Sequence, residues 1–126
     1  MPMPMPNFII LYVDAPLTSA AFYAALLGRA PAESSPNFAM FALDSGVMLG
    51  LWSKHAVEPR ADFTGGGAEV AFAVEGGAAR VDALHAQWLG DGLRILQAPT
   101  AMDFGYTFVA ADPDQHRLRV FAPAGG

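Results

Sequence analysis

Residues 8–28 read FIILYVDAPLTSAAFYAALLG, and residues 69–90 read EVAFAVEGGAARVDALHAQWLG. Each stretch opens on a short apolar run rich in β-forming residues that stops at an acidic residue, Asp14 in the first and Glu75 in the second. Runs bounded in this way are strand signals. Each then turns to a helical pattern ended by glycine. Phe22, Tyr23, Leu26 and Leu27 fall on one side of the first helix, which Thr18 or Ser19 can cap and Gly28 can end. Val81, Leu84 or His85, and Trp88 share one side of the second helix, over 78–89, before Gly90 and Gly92. The two stretches are copies of one plan: Val13-Asp14 recurs as Val74-Glu75, 61 residues on, and Leu27-Gly28 recurs as Leu89-Gly90, 62 residues on.

Outward from these copies, residues 38–43 and 47–52 read as a hairpin about the turn Asp44-Ser45-Gly46. Residues 93–96, 106–110 and 117–121 read as three strands, with Asp112-Pro113-Asp114-Gln115 as the turn before the last. The closing strands LGLW (49–52) and LRVF (118–121) match at a larger offset, 69, so the extra residues of the second half fall in a loop over 97–103. Each half is therefore β-α-β-β-β, with a weakly signalled second strand in the first half, where 31–37 reads as loop. The expected organisation is an extended arm over 1–6, a first module over 7–53, a Pro- and Gly-rich linker over 54–67, a second module over 68–122 and a tail over 123–126. One half alone cannot bury both faces of a four-stranded sheet.

Composition excludes several classes. The chain is 126 residues, 53% hydrophobic and 15% charged, against roughly 25% charged in an average globular protein. The apolar content is too high for a disordered chain. A net charge of −5 argues against nucleic-acid binding, which needs a basic face. No apolar run approaches the roughly 18 residues of a membrane span. The absence of cysteine removes disulfides, thiolate metal sites and cysteine nucleophiles, and agrees with a cytoplasmic protein. The start MPMPMPNF has neither the basic nor the long apolar segment of a signal peptide.

Strand alternation then sorts the side chains. Phe8, Ile10 and Tyr12 are expected toward the helix, with Asn7, Ile9 and Leu11 away from it. Val70, Phe72 and Val74 are expected toward the helix, with Glu69, Ala71 and Ala73 away. On the closing strands Leu118 and Val120 face the helix, while Arg117, Arg119 and Phe121 face away, matched by Met48, Gly50 and Trp52. The helix-free face thus carries Asn7, Gly50, Glu69 and Arg119 at matched positions, with Met48, Trp52 and Phe121 beside them. Apolar walls with a few convergent polar groups make a ligand site. Trp52 offers a stacking face, Met48 an adaptable floor, and Phe38, Phe41, Phe104 and Phe121 further walls. Glu69 and Arg119 can pair with each other or meet a ligand, Arg119 by gripping a carboxylate. The segment 103–106 is expected to lie in a loop that closes over the site, with the Tyr106 hydroxyl orienting the ligand. His85 reads as a packing or surface residue, His116 as outward-facing in its turn, Asp112 and Asp114 as turn chemistry, and the triple glycine 65–67 lacks the context of a phosphate loop.

Paired β-α-β-β-β units, FYAALLG after a strand ending in VD, and the late segment DPDQHRLRVF resemble the vicinal-oxygen-chelate superfamily of glyoxalases, bleomycin resistance proteins and extradiol dioxygenases. The resemblance covers roughly residues 7–122. The family's closing signature has glycine where Gln115 stands here. The pattern LYV, FY, MF, LWS and DFGYTFVAADPDQHRLRV looks most like the phenazine-antibiotic resistance branch. The resemblance implies an α+β fold of two tandem βαβββ modules forming a curved mixed sheet with a concave cavity, and a bacterial homodimer in which both chains contribute to two equivalent pockets.

The same resemblance places the metal ligands of the family's enzymes at Asn7, Gly50, Glu69 and Arg119. Only Glu69 is an ordinary ligand, Gly50 has no side chain, and Arg119 puts a permanent cation where a carboxylate would stand. The three His do not replace them. The expectation is a protein without metal, cofactor or catalytic residues that sequesters a planar aromatic small molecule. The alternative is a glyoxalase- or dioxygenase-type metalloenzyme with an atypical site.

Overall fold

A computed structural model describes residue 3, residues 5–62 and residues 65–124. Parts of the expected arm (Met1, Pro2, Pro4), linker (Phe63, Thr64) and tail (Gly125, Gly126) lie outside the described residues. The chain divides into two compact units, Met1–Thr64 and Gly65–Gly126. The first contains β1 (Phe8–Val13), α1 (Pro16–Leu27), β2 (Glu33–Ser34), β3 (Phe38–Ala42) and β4 (Met48–Ser53); the second contains β5 (Glu69–Ala73), α2 (Gly77–Gly90), β6 (Arg94–Met102), β7 (Gly105–Ala111) and β8 (Arg117–Pro123). Each unit builds one four-stranded mixed sheet, ordered β1-β4-β3-β2 and β5-β8-β7-β6. This is the α+β architecture of paired βαβββ modules that the repeat implies. No helix among the described residues is long and apolar enough to cross a membrane.

In the first module α1 carries the chain from β1 across to β2 at the far edge of the sheet, and β4 returns to pair with β1 in parallel. Pro16 opens the helix at a position where its missing N–H costs nothing. The cap residue is Ala15, not Thr18 or Ser19. Ser19 is already inside the first turn, its N–H donating to Ala15 O at 3.0 Å. Gly28 ends the helix as expected, with φ 66 and its N–H on Ala24 O at 2.9 Å. The stripe Pro16, Ser19, Ala20 and Tyr23 is buried, and α1 packs on β2, β3 and β4. The opposing sheet residues are Val13, Ala39, Phe41, Leu49 and Leu51, all buried. Burying each large apolar side chain contributes about 1.5–3 kcal/mol.

Register fixes which residues share that face: Ile9 lies beside Leu49, Leu11 beside Leu51 and Val13 beside Ser53. The expected parity of β1 is therefore reversed. Phe8, Ile10 and Tyr12 stand beside Met48, Gly50 and Trp52 on the helix-free face. Asn7, one residue before β1, alternates to the other side. Phe41, beside Leu49, belongs to the core under the helix and forms no ligand wall.

The second module repeats the plan with the parity expected. Val70 is beside Leu118 and Phe72 beside Val120, whereas Ala71 is beside Arg119 and Ala73 beside Phe121. Helix α2 packs on β6, β7 and β8. Trp88 meets Phe72 and Phe108 edge-on, with ring centroids 6.0 and 5.3 Å apart, and His85 lies 5.4 Å from Phe108. His85 is thus a packing residue. The expected loop over 97–103, with its closing segment 103–106, does not exist: only Asp103 and Phe104 stand between β6 and β7. Strand β6 runs to Met102 and pairs with β7, absorbing the surplus residues in register shifts between Ile95 and Gln97 and between Gln97 and Thr100. Pro99 falls inside the second shift, and an edge strand tolerates such a residue because one ladder side needs no donor.

Candidate functional site

The helix-free face of the first module is apolar and aromatic. Tyr12 and Trp52 are register partners across β1 and β4, with rings edge-on at 6.4 Å. Phe38 pairs with Trp52 from the other side and Met40 with Gly50. Gly50 is buried: a Cβ there would come 3.0 Å from Phe38 Cζ and 3.4 Å from Ile10 Cγ1. Glycine at this position lets the Phe38 ring lie across β4. The strand floor at Gly50 is therefore covered by Phe38 and Ile10, while Trp52 and Met48 remain half-exposed. Tyr12, Ile10 and Met40 were missing from the sequence-based site. FIILYV is apolar on both sides, so alternation alone cannot orient it.

The helix-free face of the second module centres on Arg119. Its Nε donates to Glu69 Oε1 at 2.8 Å and its Nη2 to Glu69 Oε2 at 2.9 Å. Its Nη1 donates to Thr107 Oγ1 at 3.2 Å, and that hydroxyl donates to Val120 O at 2.8 Å. The guanidinium carbon lies 5.5 Å from the centroid of Phe104, whose ring meets Phe121 edge-on at 5.8 Å. The side chains of Arg119 and Glu69 are 17% and 31% exposed. The paired guanidinium holds the Glu69 carboxyl below its ordinary value, and the same pair raises Arg119. Thr107, fully buried, was not foreseen, because a threonine within a strand carries no sequence signal for bracing an arginine.

Tyr106 is not part of this face. Its hydroxyl donates to Asp82 on α2 at 2.9 Å, and that bond raises its pKa. Phe104, two residues earlier in the hairpin, does reach the Arg119 cluster. His116 is buried rather than outward-facing, its N–H donating to Asp112 Oδ1 at 2.9 Å. In the same turn Gln115 has φ 69, the left-handed conformation that glycine takes without strain. At the end of β1, Asp14 accepts a bond from His55 at 2.7 Å and lies 3.8 Å from Lys54; the His55 bond holds it below its ordinary value.

Two hollows lie elsewhere. One of about 760 Å³ is lined by residues 54–62. Another of about 720 Å³ is lined by residues 73–77 with Ala122 and Pro123. Neither includes Trp52 or Arg119.

Residues 6–120 match the model of the Glyoxalase/Bleomycin resistance protein/Dioxygenase superfamily. The chain belongs to that superfamily. Over 118 residues, 91% of this chain and 89% of the relative, it is 27% identical to the phenazine antibiotic resistance protein EhpR of Enterobacter agglomerans. Protein ATC0852 of Agrobacterium tumefaciens, solved by NMR, is 58% identical, with 98% of this chain and 100% of that chain covered and a TM-score of 0.89. A glyoxalase-related enzyme from Fulvimarina pelagi is 22% identical over 95% of this chain and 88% of its own, with a TM-score of 0.81, a likeness of fold alone.

The donors here do not fit the divalent metal of the superfamily's enzymes. Both Glu69 oxygens are engaged by Arg119. Gly50 offers nothing but a covered backbone, and the exposed Asn7, before β1, offers no more than a neutral amide oxygen. Among the described residues no group of three or more His, Cys, Asp or Glu side chains could hold an ion. A metal at Glu69 would also meet a fixed guanidinium, a repulsion of several kcal/mol at intermediate dielectric.

The pair has a stability signature. A carboxyl whose folded pKa is depressed contributes stability above its unfolded value, here 4.5, and loses it as pH falls through the lower folded value. Glu69→Gln is expected to cost about 1 kcal/mol at neutral pH, the pair being partly screened. Urea midpoints of variant and wild type should converge below the ordinary glutamate range. A gap that stays constant down to acid pH would mean that the ion pair is not its source.

Proposed function

We propose that the protein binds and sequesters a planar, aromatic, hydrophobic small molecule, stoichiometrically and without a metal, as an antibiotic-resistance device of the bacterial cytoplasm. The observation that carries this reading is the aromatic helix-free face of the first module, where a half-exposed Trp52 stands in a row with Tyr12 and Phe38. Large rigid rings with little competing polarity suit stacking on a flat ligand. Phe104 and Phe121 give the second module a smaller aromatic patch beside Arg119. The identity with a phenazine antibiotic resistance protein supports the ligand class. The engagement of Glu69 by Arg119 supports a metal-free mechanism, and the lack of cysteine accords with a reducing compartment. The exposed apolar residues Phe8, Ile9 and Ile10 support a homodimer, since such a run on an edge strand invites cover.

Titration with a panel of phenazines, read by tryptophan fluorescence, tests the reading. The chain has two Trp. Trp88 is buried between Phe72 and Phe108 and serves as an internal reference. Quenching is expected in wild type and should largely vanish in Trp52→Phe, with affinity about tenfold weaker by calorimetry, the loss of one stacking partner. If no phenazine binds, or if Trp52→Phe quenches as wild type does, the reading fails. The metalloenzyme alternative needs Glu69 to leave Arg119. A stoichiometric divalent ion in protein purified without chelator, lost in Glu69→Gln, would favour it.

A further inference from the structure

A guanidinium has five N–H donors, and three of Arg119's are engaged by Glu69 and Thr107. Two remain, one on each terminal nitrogen, without a partner among the described residues. The fork is held from three sides: Glu69 grips it bidentately, Thr107 braces Nη1, and the Phe104 ring lies against its carbon. Phe104 is itself 44% exposed, so an aromatic surface lies beside the free donors. The pair carries no net charge. Arg117, the register partner of Glu69, adds a cation on the same face, but it is exposed and screened by solvent.

An anion reaching the free donors meets the guanidinium and, beside it, the Glu69 carboxylate, so its attraction is largely cancelled. A neutral acceptor forms the same hydrogen bonds without that repulsion. We propose that the Glu69–Arg119 pair is a specificity-determining receptor for a neutral hydrogen-bond acceptor, such as a carbonyl or carboxamide oxygen, carried by an aromatic ligand. Glu69 is the element that discriminates against carboxylate-bearing ligands. This rests on the binding function proposed above and concerns the aromatic patch of Phe104 and Phe121 in the second module.

The test compares phenazine-1-carboxamide with phenazine-1-carboxylate, by calorimetry at neutral pH and low salt. The readout is the ratio of their dissociation constants, carboxylate over carboxamide. In wild type the ratio should exceed one. In Glu69→Gln it should fall by about tenfold as the repelling charge is removed, and in Arg119→Gln it should rise by about threefold or more as the carboxylate is left uncompensated. The two variants move the ratio in opposite directions, which general destabilisation does not do, and either suffices if the other fails to fold. A ratio of one or below in wild type, or a ratio that neither variant moves in its stated direction, overturns the proposal while leaving sequestration intact. If neither compound, nor any other phenazine, binds wild type, the binding function itself is what fails.

Discussion

Gly105→Ala is expected to lower the stability of the protein by about 3 kcal/mol or more. Gly105 opens β7 with φ 148, a region of backbone space that side-chain-bearing residues avoid. A Cβ at this position would lie 2.1 Å from Ala122 O and 3.0 Å from Ala122 C. Both belong to β8, so no side-chain rotation relieves the clash and the strands must part. The damage reaches the candidate site, because the adjacent Phe104 carbonyl accepts the Ala124 N–H at 2.8 Å and the Phe104 ring covers Arg119. Against a typical domain stability of about 5–15 kcal/mol, the urea midpoint should fall by about a fifth or more. A variant with an unchanged midpoint would show that the β7–β8 approach is looser than described.

Phe108→Ala should cost about 3–5 kcal/mol, as expected for truncating a fully buried ring. Phe108 is 0% exposed and stands where β7 meets α2, touching Trp88 at 5.3 Å and His85 at 5.4 Å. Its removal opens a cavity that α2 can only partly fill, because β8 holds β7 in place through a continuous antiparallel ladder. Calorimetry reads the loss. Trp88 emission should move to longer wavelength as water reaches the indole. Phe108→Leu, which keeps most of the volume, should recover over half of the deficit. Equal losses for Ala and Leu would point to the edge-on ring contacts rather than to volume.

The duplicated plan was legible because each copy carries its own punctuation: an acidic residue after the strand and a glycine after the helix. The second module's faces were legible for a related reason. EVAFAV and RLRVF alternate large with small or charged residues, so only one parity buries the large ones. FIILYV offers no such contrast. Its orientation depends on pairing with β4, a tertiary fact, and the sequence-based parity was consequently reversed, carrying Asn7 and leaving out Tyr12 and Ile10. Phe41 and Tyr106 were misassigned because an aromatic residue in a strand reads the same whether it faces helix or solvent. The absent lid followed from counting surplus residues as loop when register shifts in an edge strand had absorbed them. Arg119 paired with Glu69 is one of two alternatives the sequence leaves open, and the structure holds the bidentate pair.

The cross-strand pairs Ile10 with Gly50 and Ala71 with Arg119 occupy corresponding places in the two modules. In one the bulk sits on the first strand of the module, and in the other on the last. The two halves therefore place the volume on opposite members of the strand pair. A lineage, or a library, that alters position 50 alone meets Ile10 and Phe38, and one that alters position 119 alone strands Glu69. Co-varying 10 with 50, and 71 with 119, is the mutational route by which one module could take on the character of the other.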